Sequence, residues 1–206
     1  MDHIKDWTKE ELVEYIAKLE FEAFDKVKGI GGRASCQDDW ETFRIMRTSQ
    51  YNTWTMEMLI SYVNDFQEAL KNGWNLIMEK YARMMETTDP KQYEDFKDKL
   101  PPISEKKKNI IEEVVKIQVA WMEDFTNKYP NVSPYTRYIH TSEDTIYHTS
   151  YETYLRGEIS TYSHRTLYLY ATFIVQLMKE NKNLAEMTME HTIKMYGYHS
   201  FDDIRG

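Results

Sequence analysis

Two stretches decide the fold: Leu12 to Val27, LVEYIAKLEFEAFDKV, and Ile110 to Phe125, IIEEVVKIQVAWMEDF. Both carry apolar residues at three- and four-residue spacing. In the first, Leu12, Ile16, Leu19, Ala23 and Val27 form one stripe, the pattern of an amphipathic α-helix that turns one face to a core. Thr8 with Glu11 makes a capping box ahead of it, so the helix is expected over Thr8 to Val27, ended by Gly29, Gly31 and Gly32. Laid on each other at an offset of 98 residues, the two stretches match Glu14 to Glu112, Lys18 to Lys116 and Leu19 to Ile117.

The pattern continues outward from both. A second helix is expected from Ser35 to Gln50, and a third, capped by Thr53 or Thr55, to Leu70. Asn72-Gly73 breaks that one before a fourth that ends at Met85. A connector with Pro90, Pro101 and Pro102 follows. At an offset of 111 residues, Trp40-Glu41-Thr42-Phe43 falls on Tyr151-Glu152-Thr153-Tyr154, Arg47 on Glu158, Ser49 on Ser160, Tyr51 on Tyr162, Thr55 on Thr166 and Tyr62 on Phe173. With three residues' adjustment Asn75-Leu76 echoes Asn183-Leu184, and Glu79 echoes Glu190. The two offsets differ by 13 residues, which places an insertion between Pro130 and His148 in the second half. Any two amphipathic helices share a stripe, but packing does not require the polar identities, and the order of elements repeats as well. The expected architecture is all-α: one domain, residues 1–206, of about eight helices in two tandem, diverged four-helix units related by a pseudo-two-fold axis. Copy one covers about 8–86, a connector 87–104, and copy two about 105–200.

Composition agrees with a packed helical protein. The 206 residues are 41% hydrophobic and 29% charged with only 7 Gly and 5 Pro, and a chain of this length buries roughly 70% of its unfolded surface. Its single cysteine, Cys36, rules out an internal disulfide. The opening MDHIKDWTKEELVEY shows no apolar leader, and no apolar run reaches the roughly 18 residues of a membrane span. A cytoplasmic protein that does not act at a membrane is expected. A net charge of −8 disfavours nucleic acid as a partner, and the basic cluster Lys106 to Lys108 reads as solvated surface.

Several residues could carry chemistry. Trp40, Phe43, Arg47, Gln50 and Tyr51 share one helix face, so a guanidinium and an amide lie beside large aromatics and need partners. Glu20, one turn from Ile16 and Phe24, is a buried partner for Arg47, with Gln118 as its neutral counterpart. Arg47 and Glu158 would meet if their helices cross near the two-fold axis. Such a set, Glu20, Arg47 and Glu158, is either an ion-pair network that fixes the packing or the wall of a polar cavity lined also by Gln50, Tyr151, Tyr154, Arg156 and Tyr162. Cys36 falls in a helical first turn if Ser35 is the N-cap and Asp38 completes the box, a place that favours a thiolate, although Asp38 and Asp39 oppose it. A small buried thiol is the plainer reading. Gly29-Ile30-Gly31-Gly32-Arg33 lacks the Lys-Ser/Thr ending of a phosphate loop and reads as a turn. Neither His140, Glu143, Asp144 and His148 nor Glu186, Glu190 and His191 has a metal-ligand spacing, so no metal site is assigned. Tyr162, Tyr168, Tyr170 and Phe173 read as core or interface, and Glu79 with Arg83 as a solvated i,i+4 pair.

The segments GGRASCQDDWETFRIMRTSQY (Gly31 to Tyr51), EKYARMM (Glu79 to Met85) and TSYETYLRGEISTYS (Thr149 to Ser163) resemble those of an uncharacterised bacterial family, common in anaerobic Firmicutes and known as a domain of unknown function, DUF4125. The resemblance extends over nearly the whole chain. It implies a free-standing bacterial cytoplasmic protein and brings no activity, cofactor or catalytic residue with it.

Three functional readings follow. The first is an auxiliary helical protein that holds a small polar ligand or a partner segment in the cleft between copies, through Glu20, Arg47, Gln50, Tyr151, Arg156 and Glu158. The second is an enzyme using that cleft, with Glu41 or Glu152 transferring a proton or Cys36 as nucleophile. The third is a structural interaction protein. The sequence names no cofactor.

Overall fold

The computed structural model describes residues 6–27 and 32–204. Among them are nine α-helices: α1 (Lys9–Asp25), α2 (Trp40–Asn52), α3 (Met56–Lys71), α4 (Leu76–Thr88), the single turn α5 (Pro90–Tyr93), α6 (Glu105–Lys128), α7 (Tyr151–Ser160), α8 (His164–Lys179) and α9 (Leu184–Met195). The all-α single domain is borne out. Gly29, Ile30 and Gly31, on which the expected helix stop and glycine turn fall, lie outside the described residues.

Short polar side chains set the helix starts, as free N–H groups require. Thr8 and Glu11 form the expected capping box on α1, and Thr55 rather than Thr53 caps α3. Ser104, Ser150 and Ser163 cap α6, α7 and α8. The second helix begins later than expected. Ser35–Asp38 is a 3-10 turn, and Asp39 caps α2 by accepting from Thr42 N at 3.0 Å. The cause is Gln37, which is buried and whose Nε2 donates to the carbonyls of Phe24 and Val27 at 2.7 and 3.0 Å. That turn serves the end of α1 and is not available to start α2.

The same local devices occur twice. Asn75 caps α4 and donates from Nδ2 to the Ala23 carbonyl of α1 at 2.8 Å; Asn183 caps α9 and donates to the Trp121 carbonyl of α6 at 2.7 Å. Gly73 ends α3 and Asn181 ends α8, each at positive φ, with Trp74 N and Lys182 N reaching back to the Ala69 and Leu177 carbonyls. These are αL helix stops, which glycine and asparagine tolerate best. Glu14 of α1 pairs with Arg44 at 3.0 Å, and Glu112 of α6 pairs with Arg156 at 2.9 Å.

α1 packs on α2, α3 and α4, and α6 on α7, α8 and α9; across the halves α2 lies on α9, α4 on α7, and α3 on α8. One continuous apolar core runs between them, from Leu12, Ile16 and Phe66 to Ile111, Ile174 and Leu177. A smaller cluster of Met122, Phe125, Val132, Ile193 and Phe201 sits under the segment that joins α6 to α7. Three side chains expected at the surface are inside. Glu79 is buried and accepts from Trp74 Nε1 at 2.6 Å and from Arg83, which also donates to the Pro101 carbonyl. Lys107, half-buried, donates to the Ser160 and Tyr162 carbonyls, both at 2.7 Å, and closes the C-terminus of α7. No helix of the described residues is long and apolar enough to cross a membrane.

α7 and α4 approach most closely at Gly157. A Cβ there would stand 2.8 Å from Met84 Cγ and 3.0 Å from the Lys80 carbonyl; the methionine can move, the carbonyl cannot. Gly157→Ala is therefore expected to lower the unfolding free energy by about 1–3 kcal/mol. Urea unfolding measures it, and an unchanged midpoint would show that the α4–α7 contact is looser than this geometry.

Candidate functional site

At the crossing of α1, α2, α4 and α7 four charged side chains are buried together. Arg47 is the hub. Its Nε and Nη2 donate to Glu20 at 2.6 and 2.8 Å, and its Nη1 donates to Glu158 at 2.9 Å and to Gln50 Oε1 at 2.8 Å. Gln50 Nε2 donates to the other oxygen of Glu158 at 2.7 Å, Lys80 Nζ donates to Glu158 at 3.0 Å, and Tyr162 donates to it at 3.2 Å. Glu20 also receives the hydroxyls of Tyr51 and Tyr62 at 2.8 and 2.7 Å. Two cations face two carboxylates, and every polar atom of those four groups has a partner.

The electrostatics follow from that closure. Burial alone would push the Glu158 carboxyl up, but Arg47 and Lys80 beside it hold it well below the usual carboxylate range. Burial opposes the charge of Arg47 too, yet Glu158 and Glu20 keep it far above the ordinary guanidinium value. Tyr51, Tyr62 and Tyr162 are raised by burial first, so they remain hydrogen-bond donors. The Glu158 carboxyl is held as an anion, and the side chains of the network satisfy one another.

Four of the six expected ligand residues, Glu20, Arg47, Gln50 and Glu158, thus come together as expected. Two do not. Tyr151 turns away to Gln118 Oε1 at 3.4 Å, and Arg156 lies on the far side of α7, held by Glu112 and Glu152. The reason is helical: two residues apart means roughly 200° around the axis, so Arg156 and Glu158 cannot share a face. The candidates for chemistry are dispersed as well. Cys36 is exposed in its 3-10 turn instead of buried. The Arg44 hydrogen bond holds Glu41 below its ordinary range. Burial opposes the charge of Glu152, but Arg156 and the Thr141 N–H hold it low. Cys36, Glu41 and Glu152 share no hydrogen bond or ion pair among the described residues.

Sequence reasoning missed Lys80, although Ile77, Lys80 and Met84 all lie on the buried face of α4, and a lysine inside an apolar stripe was the signal. It weighed Asp144 only as a metal ligand, whereas Asp144 fastens the segment that joins α6 to α7 by accepting from Ser150 N at 2.6 Å, Thr87 Oγ1 at 2.6 Å and Thr153 Oγ1. That segment, 129–150, forms the outer features of the molecule. It lines a groove of about 950 Å³ with Arg137, Tyr138, His140, Tyr147 and His148. A second groove of about 340 Å³, between α6 and α7, is lined by Glu112, Lys116, Glu123, His140, Glu152 and Arg156. His140, paired with Glu123 at 3.1 Å, belongs to both. Among the described residues no cluster of His, Cys, Asp and Glu could hold a metal ion.

The fold and its centre define an all-helical domain assembled round a neutralised, buried ion-pair network. The chain belongs to the family described as protein of unknown function, DUF4125, whose model matches residues 10–205. Neither a curated protein nor a solved structure matches it.

Removing one charge from a closed buried network leaves its partners uncompensated, so Arg47→Met is expected to cost about 3–5 kcal/mol, read from urea unfolding. Glu158 has a second signature. Its folded-state pKa is depressed, so its contribution is complete above the ordinary glutamate value of 4.5 and is lost as pH falls below it. The stability gap between wild type and Glu158→Gln should therefore be widest near neutral pH and shrink in acid; a gap constant from pH 7 to pH 3 would overturn this assignment.

Proposed function

We propose that the protein is a non-catalytic helical binding protein made of two diverged copies, and that it receives a small polar ligand in the groove of the inserted segment, not at the junction of the copies. The repeated caps, αL stops and Glu–Arg pairs support the duplication. The observation that carries the binding site is the distribution of exposed apolar surface. Tyr135, Tyr138, Ile146 and Tyr147 all lie in the segment between α6 and α7, with Tyr138 56% and Tyr147 83% exposed. The segment that joins α1 to α2 supplies nothing comparable among its described residues. A concavity of about 950 Å³ is of the size that small-molecule sites use, and such sites mix aromatic walls with a few polar groups. Tyr138 and His148 stand edge to face at 5.8 Å, and Arg137, His140 and Thr149 supply polar atoms.

The buried network supports the complementary half of the reading. Glu20, Arg47, Gln50 and Glu158 satisfy one another, so a ligand entering there would have to break bonds already made. Residence in a bacterial cytoplasm is part of this proposal and agrees with a single, exposed cysteine.

A thermal-shift screen of small polar compounds, followed by hydrogen exchange on each stabilising compound, tests it. Protection is expected within 133–149. Tyr138→Ala and Tyr147→Ala should each weaken binding about tenfold, the scale of a lost aromatic contact, without changing Tm. Protection at the α1–α2–α7 crossing, or undiminished binding in both variants, would sink the groove as the site.

A further inference from the structure

Seven arginines lie among the described residues, and their partners differ in one case. Arg33, Arg44, Arg47, Arg83, Arg156 and Arg165 each have a carboxylate within ion-pair distance. Arg137 has none among the described residues. It is exposed on the groove, and its one hydrogen bond to another group runs from Nη1 to the Thr149 carbonyl at 3.3 Å. Most of its guanidinium fork is unengaged. The acids of the same segment are committed elsewhere: Asp144 to Thr87, Ser150 and Thr153, and Glu143 to the backbone N–H groups of Ile139 and His140.

Arg137 is held in place by a ring. Its Cζ lies 4.7 Å from the centre of Tyr154, and the Lys80 ammonium lies 4.0 Å from the same centre. Lys80 Nζ also donates to the Tyr154 hydroxyl at 2.7 Å. Two cations therefore bear on one phenol. Glu158, the carboxylate beside Lys80, is shared with Arg47.

We infer that Arg137 is the oxyanion contact of this groove, so that its ligand carries a carboxylate or a phosphate; the inference rests on the groove being the binding site. The guanidinium fork matches two oxygens of either group, and the Tyr154 ring fixes its place from behind. Lys80 does not touch the ligand. It holds Tyr154, and with it the ring beneath Arg137, from the buried side.

The test uses the full chain with inorganic phosphate and acetate as separate probes, titrated against chloride at matched ionic strength and followed by NMR of the arginine side chains. The Arg137 signals should move with phosphate, acetate or both, and the stronger probe identifies the source of the oxyanion. Arg137→Gln, a change at an exposed residue, should weaken that binding at least about tenfold, the scale of a lost charge-assisted hydrogen bond, with an unchanged Tm. Tyr154→Phe, which keeps the ring beneath the guanidinium, should leave it intact. Tyr147→Ala should leave it intact, and this separates the subsite from the aromatic part of the groove. Arg137 signals that respond no more to either probe than to chloride, or binding retained in Arg137→Gln, would overturn the subsite while leaving the groove to its own test.

Discussion

Buried charge must be neutralised where it stands, and in this molecule four separate helices are needed to do so. α1 brings Glu20, α2 brings Arg47 and Gln50, α4 brings Lys80 and α7 brings Glu158; α3 adds the hydroxyl of Tyr62. An isolated ion in such surroundings costs far more than a misplaced methyl group. Any packing that shifts one of these helices by a turn leaves a charge unpaired, whereas apolar surfaces would accept several registers at similar energy. The network therefore selects one arrangement among those that the apolar stripes permit. Trp54 and the tyrosines around it, Tyr51, Tyr62, Tyr162 and Tyr170, pack edge to face or tilted beside it and exclude water.

The same neutrality explains why the halves cannot be alike. Tyr62 donates to Glu20 in one half, and Tyr170 donates at 3.1 Å to Gln118 in the other. A glutamate at 118 would face no cation, because the position that supplies Arg47 to the first half supplies Glu158 to the second, and Glu158 is spent on Arg47 and Lys80. An amide is the group that keeps the shape without the charge. It is not a perfect substitute: Gln118 Nε2 and Trp54 Nε1 are buried without a protein acceptor. The asymmetry at the centre is thus a consequence of burying one charge set across a junction and needs no ligand to account for it.

Much of this was legible in the sequence because helical periodicity determines faces, and faces determine meetings. Glu20 beside the apolar stripe and Arg47 among aromatics were readable as partners, and so was the meeting of Arg47 with Glu158. α2 runs 13 residues and α7 only 10, and it is Tyr170, not Phe173, whose hydroxyl donates to Gln118 as Tyr62 donates to Glu20. Arg156 lies on the face of α7 away from Glu158, because two residues turn the helix by roughly 200°, and it pairs with Glu112 and Glu152. Gln37 and Lys107 were illegible for a different reason. Each satisfies the carbonyls at the end of a helix packed beside it, and which helix end will lie beside a given side chain is decided by tertiary packing.

The segment that joins α6 to α7 is built as a frame. Tyr151 N and Glu152 N donate to the Tyr138 and Ile139 carbonyls at 2.7 and 3.0 Å, Thr145 and His148 close a short antiparallel bridge, and Val132 is buried against Phe125 and Phe201 beneath it. Fixing a loop of this length costs backbone entropy at every residue. A loop held only for connection would gain nothing by holding Tyr138, Tyr147 and Arg137 in the open, where apolar rings face water and a guanidinium has no carboxylate. Rigid aromatic and cationic side chains that are already ordered lose little more on binding, which is how a preformed site gains affinity. The physical logic of the two regions is therefore opposite: the centre satisfies every charge it contains, and the segment between α6 and α7 holds a guanidinium, Arg137, that has no carboxylate partner among the described residues.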